Sequence, residues 1–174
     1  MLIRLMIVIT LIILVYIMAK DKLNLTGGNA THSGGESQSP DGSDQTRGVR
    51  NNNPLNIEYN RANDWQGQTG SDGRFAIFSH SKWGFRAAAK LLQNYQRLYG
   101  LNTVNELINR WAPPVENHTS NYVNFVAGRM GVGIAERIDL KNKTLLTDLV
   151  HAMSIMESGH HYTRSDAAQG VNLV

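Results

Sequence analysis

The sequence predicts an α+β domain, and three observations carry that prediction. A turn-rich stretch between residues 55 and 78 shows short apolar–polar alternation. Behind it, as far as Ser158, apolar residues recur at three- and four-residue steps in successive blocks. Ahead of both stand an almost wholly apolar run and a polar, Gly/Ser-rich stretch that suit neither layer. The expected architecture is a small antiparallel sheet followed by about four helices, preceded by an N-terminal transmembrane helix and a flexible linker.

The first element is "MLIRLMIVITLIILVYIMAK", apolar from Leu5 to Ala19, with Arg4 before the run and Lys20 and Lys22 at its end. A spanning helix needs roughly 17–25 residues, and a snorkelling Arg4 lengthens the usable span. Residues 1–20 are therefore expected to be a membrane anchor or uncleaved signal. A cleaved signal peptide is the competing reading, disfavoured by the long apolar region and the lack of a clear small-x-small site before Lys20. Residues 21–46 are rich in Gly, Ser, Asp and Asn and have too little apolar surface to order themselves, so a flexible linker is expected there.

The folded region is expected over 47–162, with 163–174 as a C-terminal tail. "RNNNP" reads as a polar turn closed by Pro54. "PLNIEY" alternates Leu55, Ile57 and Tyr59 with polar residues, and "SDGRFAIF" places a turn before an apolar run, so two or three strands are expected over Leu55–Phe78. Phe85, Ala88, Leu92, Tyr95 and Leu98 define the inner face of a first helix that Gly100 stops. Thr103 and Glu106 form a capping box for a second, with Leu107, Ile108 and Trp111 inward, ending before Pro113 and Pro114. A third helix spans about 120–130, with Tyr122, Phe125, Val126 and Met130 inward. A fourth spans about 143–158 with the stripe Leu146, Leu149, Val150, Met153 and Met156, closed by Gly159.

Composition narrows the chemistry. The chain has no cysteine, which excludes disulfides, thiolate metal sites and a cysteine nucleophile. Its net charge of +3 comes from scattered basic residues, so no nucleic-acid partner is expected. His151, His160 and His161 beside Glu157 invite a metal reading, but H-E-x-x-H is absent and no metal or other cofactor is expected.

Glu157 is the candidate catalytic group. It lies four residues after Met153 and eight after Leu149, at the edge of a buried stripe where the helix ends. Partial burial raises a carboxyl's pKa, and a negative charge there opposes the helix dipole. Such a group suits a general acid; the alternative is a residue that frays into solvent.

Several segments resemble a family of phage-borne wall-degrading enzymes with a lysozyme-like domain. They are "RGVRNNNPLNI", "DWQGQTGSDGRFAIF", "WGFRAAAKLLQNYQ", the W-A-P-P-x-E-N-x-T-x-x-Y run and the final "MESGHHY", covering about Arg47 to Tyr162. The resemblance implies a peptidoglycan lytic enzyme of lytic transglycosylase or muramidase type, acting on the glycan strand during phage entry or exit. It implies Glu157 as acid/base in a fold that places its acid at a helix end beside a small sheet. Here the sheet comes first in sequence, which fits a circular permutation of that architecture.

A hydrolase needs a second carboxylate, about 5 Å away if retaining or about 6.5–9.5 Å if inverting. Glu58, Asp64 and Asp72 are the candidates, each also readable as an ordinary surface or turn residue. Lytic transglycosylases, in family terms, use one Glu as acid and then base, and that chemistry is slightly favoured. Candidate substrate-binding residues are Asn53, with Asn51 and Asn52, for acetamido groups, although a structural turn is the preferred reading for all three. Trp65 is a candidate for stacking on a sugar face, with core packing the alternative. Gln66 and Gln68 are candidates for hydroxyls, and Tyr122 for a core ring with its hydroxyl at the cleft. For Trp111 packing is expected, and for Glu116 and Asn117 capping of the next helix. The expected partners are peptidoglycan glycan strands, a membrane through residues 1–20, and other virion proteins. The expected location is a virion membrane or a bacterial inner membrane, with the domain facing the periplasm. The alternatives are a peptidoglycan endopeptidase on the same scaffold and a non-catalytic virion structural or wall-binding protein.

Overall fold

The computed structural model describes residues 45–113 and 118–174. The expected membrane anchor, all of the expected linker but its last two residues, and Glu116 and Asn117 lie outside the described residues. Among the described residues, no helix is long and apolar enough to cross a membrane. The architecture is α+β, with elements in the order α1 (Arg47–Arg50), β1 (Gln68–Ser71), β2 (Ala76–Phe78), α2 (Ser81–Tyr99), α3 (Val104–Trp111), α4 (His118–Met130), α5 (Lys143–Ser158) and α6 (Arg164–Val171).

The sheet is a two-stranded antiparallel hairpin in which Gln68 faces Phe78 and Ser71 faces Ala76, with an irregularity between Gln68 and Gly70. Asp72 closes it as an Asx turn, its Oδ1 accepting from the backbone N–H of Arg74 at 3.1 Å and of Phe75 at 2.8 Å. The strand expected at 55–59 is not formed and leaves one isolated bridge, Glu58 to Phe75. Asn56 has φ 48°, the left-handed region, which interrupts an extended run. The alternation of Leu55 and Ile57 reports burial, not a ladder: both side chains are in the core while the third, Tyr59, is exposed. The polar turn expected at 50–54 is formed, with Asn51 and Asn52 in a turn, and it follows a short helix, α1, that was not expected from the sequence.

The helices follow the predicted periods closely. His80 caps the N-terminus of α2 by accepting from Lys82 N–H, and Gly100 at φ 68° ends it. The capping box of Thr103 and Glu106 opens α3. Asn142 caps α5, accepting from the N–H groups of Thr144 and Leu145. Two inward assignments are corrected: Leu98 and Met156 are exposed. Leu98 falls in the last turn of α2, past the reach of the core, and Ile155 is buried in place of Met156. Between α4 and α5 the chain has no regular structure, but Gln96 on α2 holds it. Its Nε2 donates to Ile138 O at 2.8 Å, and its Oε1 accepts from Leu140 N at 2.8 Å.

The folded unit extends beyond its expected limits at both ends. Thr46, placed in the linker, donates through Oγ1 to Ser158 O at 3.4 Å, and its carbonyl accepts from the N–H groups of Val49 and Arg50. Residues 163–174, expected to be a tail, form the capped helix α6, whose Ala167, Gly170 and Val171 are buried. A small-residue face allows that close approach to α2. A Cβ on Gly170 would stand 2.6 Å from Lys82 O and 2.8 Å from Arg86 N. We expect Gly170→Ala to destabilise the domain by about 1–3 kcal/mol through this overpacking, read as a lower chemical-denaturation midpoint. A neutral result would mean that α6 is not docked on α2.

Candidate functional site

The site is assembled where the turn after α1 meets the last turn of α5. Its foundation is Asn53, fully buried. Its Nδ2 donates to Ile57 O and Ala76 O, each at 2.9 Å, and its Oδ1 accepts from Ile57 N at 2.9 Å. One side chain thus ties the turn to the segment behind it and to β2. The turn itself closes through Asn56 N–H to Asn53 O at 3.0 Å. The neighbouring asparagines also act within the protein: Asn51 Nδ2 donates to Asp72 Oδ2 at 2.7 Å, and Asn52 Nδ2 to Phe78 O at 3.1 Å.

The helix end is fastened to the same turn. Ser158 Oγ donates to Pro54 O at 2.9 Å, and Asn56 Nδ2 donates to Glu157 O at 3.1 Å. Gly48 leaves room for this contact, since a Cβ there would collide with the Ser158 hydroxyl. Gly159, at φ 73°, then turns the chain out of the helix.

Glu157 is held over that junction by two donors. Tyr122 OH on α4 donates to Oε1 at 3.1 Å, and Asn56 Nδ2 reaches Oε2 at 3.3 Å. The Trp111 side chain at the end of α3 also favours the charged form of the carboxyl. Burial is the largest influence on the carboxyl and raises its pKa above the usual glutamate range; the three side chains oppose the rise. Burial likewise pushes the Tyr122 phenol well above its ordinary value, and the Glu157 carboxylate adds to that shift. Tyr122 therefore stays a proton donor to the carboxyl at physiological pH.

The other sequence candidates do not join this cluster. Asn53 is inaccessible and has its polar atoms satisfied internally, so it is a structural bracket rather than a sugar-binding residue. Asp72 serves the hairpin turn and pairs with Arg47 at 3.5 Å; its hydrogen bonds and Arg47 outweigh desolvation, the largest single influence, and its pKa is lowered. Glu58 is exposed and paired with Arg74 at 3.2 Å, and Asp64 is exposed. Gln66 is exposed in the turn before β1. Trp65 packs partly buried against the core, and its Nε1 and the Gln68 Oε1 are buried without a partner among the described residues. His151 Nε2 faces Tyr162 O at 3.3 Å, and burial lowers its pKa. Among the described residues no group of three His, Asp or Glu side chains could hold a metal ion.

Two residues at the carboxyl escaped sequence reasoning. Trp111 does pack against the core, as its helical spacing predicts, but it also favours the charged form of Glu157. Asn56 was masked by the alternation that suggested a strand; an Asn two residues after a proline in an Asn-rich turn was the available signal.

Two outcomes follow from this geometry. Asn53→Ala strips partners from the Ile57 N–H and from two carbonyls, so a loss of about 2–4 kcal/mol is expected in denaturant unfolding. Asn53→Asp should be no milder, because it aims an acceptor at two acceptors. The second outcome concerns pH. The folded state holds the Glu157 proton more tightly than the unfolded chain does. That stabilisation is full below the ordinary glutamate pKa and is lost as pH rises through the higher folded value. Melting temperature should therefore fall across that window in the wild type relative to Glu157→Gln, whose amide does not titrate. Parallel melting-temperature profiles from about pH 4 to pH 8 would mean that burial does not raise the Glu157 pKa.

No family model matches the chain. It is 37% identical over 129 residues to Protein P5 of Pseudoalteromonas phage PM2, an alignment covering 71% of this chain and 79% of that protein. At that identity and coverage, the chain belongs to the family of the phage PM2 Protein P5.

Proposed function

We propose that this domain cleaves the glycan strand of peptidoglycan, with Glu157 as the general acid and then base. The observation that carries the reading is the Glu157 carboxyl itself: set at a helix end, pushed up by burial, and held by Tyr122 and Asn56. A glycosidic oxygen leaves readily only if it is protonated as the bond breaks, and a buried carboxyl of fixed aim is suited to that task. These two donors and Trp111 favour the carboxylate once the proton has gone, which keeps the group able to act as a base in the following step. The helix-end acid beside a small hairpin supports a lysozyme-like domain with permuted chain order.

Lytic transglycosylase chemistry is the form we favour. Glu58 and Asp72 are engaged with Arg74 and the hairpin turn, and among the described residues neither is hydrogen-bonded to the cluster around Glu157. A single carboxyl suffices when the sugar's own hydroxyl completes the reaction. We place the protein as a single-pass membrane protein of a virion or bacterial inner membrane, with this domain on the wall side. The apolar run at residues 5–19 and a relative from a phage support that placement.

The test is mass spectrometry of purified sacculi digested by the full-length protein. Anhydro-sugar ends are expected. Reducing ends would indicate hydrolysis, freed peptide crosslinks an endopeptidase, and no product a structural protein. Glu157→Gln keeps the shape of the side chain and removes its transferable proton, so lysis should fall by at least ~10². Full activity of that variant would refute the assignment of Glu157.

A further inference from the structure

A second chemical feature adjoins the site and is not used by the proposed bond cleavage. Arg110 precedes Trp111 at the end of α3, and its guanidinium carbon lies 4.1 Å from the ring centroid of Tyr99 and 5.0 Å from that of Tyr95. The Tyr95 ring meets the Trp111 ring edge-on at 6.4 Å and the Tyr99 ring at 6.3 Å. Trp111 in turn acts on the Glu157 carboxyl, favouring its charged form. The aromatic row therefore runs from the candidate acid to a cation.

Among the described residues that cation has no counter-charge. Among the described residues, Arg110 Nε is buried with no hydrogen-bond partner and Arg110 forms no ion pair. Stacking on tyrosine faces stabilises the cation and leaves its terminal Nη donors, which lie in the guanidinium plane, available. A partly desolvated fork of this kind matches a carboxylate. The row opens to solvent at its far end, where Tyr99 is 49% and Leu98 56% exposed. In a wall glycan whose lactyl carboxyls are joined to peptides as amides, the sugars are neutral, and the carboxylates belong to the peptide branches.

We infer that Arg110, seated on Tyr95 and Tyr99, is a binding residue for a carboxylate of the peptide branch on the glycan strand. The inference rests on the proposed glycan-cleaving role of Glu157 and adds a substrate preference to it: strands that still carry their peptides.

The experiment titrates full-length Glu157→Gln protein, which binds without turnover, by calorimetry. One probe is a disaccharide–tetrapeptide fragment of peptidoglycan and the other is the same disaccharide without peptide, its lactyl carboxyl capped as a neutral amide. The peptide-bearing probe should bind about 10-fold more tightly. Adding Arg110→Gln should bring that ratio to about one. Arg110→Lys should recover only part of it, because it keeps the charge and loses the planar fork. If Arg110→Gln lowers the melting temperature sharply, Tyr99→Ala, which removes an exposed stacking face, takes its place and should also reduce the ratio. Equal affinities for the two probes, or a ratio that survives these substitutions, would overturn the inference. Sacculus digestion by the wild type reports on Glu157 separately. Absence of glycan products there would remove the proposed chemistry, while an Arg110-dependent ratio would still establish a site for wall peptide.

Discussion

The candidate site depends on a single buried amide. Asn53 brings Ile57 and Ala76 to one side chain, and so fixes the turn of residues 53–56 against β2. From that fixed turn, Pro54 receives the Ser158 hydroxyl and Asn56 reaches both the backbone and the side chain of Glu157. A two-stranded hairpin is marginal on its own. Here it is held by the same residue that locates the end of α5, so hairpin and acid share one support. Polar groups are costly to bury unpaired, and that cost makes the bracket specific: few other side chains could satisfy one donor and two acceptors in that place.

Glu157 carries opposed influences whose balance defines it. Desolvation and the carbonyl end of α5 both favour the neutral carboxyl. Tyr122 and Asn56 donate, and with Trp111 they favour the charged one. These side chains come from three separate parts of the chain: α4, the turn before the hairpin, and the end of α3. Any shift of one helix against another would alter the balance, so the proton affinity of the group reports on the packing of the whole domain.

That packing is closed by elements with weak apolar signatures. α6 docks on α2 through Ala167, Gly170 and Val171, and Arg164 bonds Asp148 on α5 at 2.6 Å. Tyr162, just before α6, stacks edge-on against Phe85 at 5.5 Å and donates from its hydroxyl to Gly48 O at 3.4 Å, beneath the junction with Ser158. The C-terminal segment is thus part of the support behind the candidate acid. Its composition, rich in small and polar residues, resembles that of a loop because close helix packing needs small side chains rather than large apolar ones.

The sequence by itself determined the α+β class, the bounds of α2, α3 and α5 and their caps at Gly100, Thr103 and Gly159, because periodicity and capping are local properties. It also placed Glu157 at the margin of a buried stripe at a helix end. Tertiary structure alone decided the rest. It chose Ile57 and Ala76 as the partners of Asn53, turned the alternation of Leu55 and Ile57 into burial without a strand, and brought Asn56 and Trp111 to the carboxyl. Hydrogen bonds between residues about 100 apart in sequence, such as Asn56 with Glu157, leave no trace in local pattern. Only the packed chain sets which polar groups lose water together, and that decides which of them become partners.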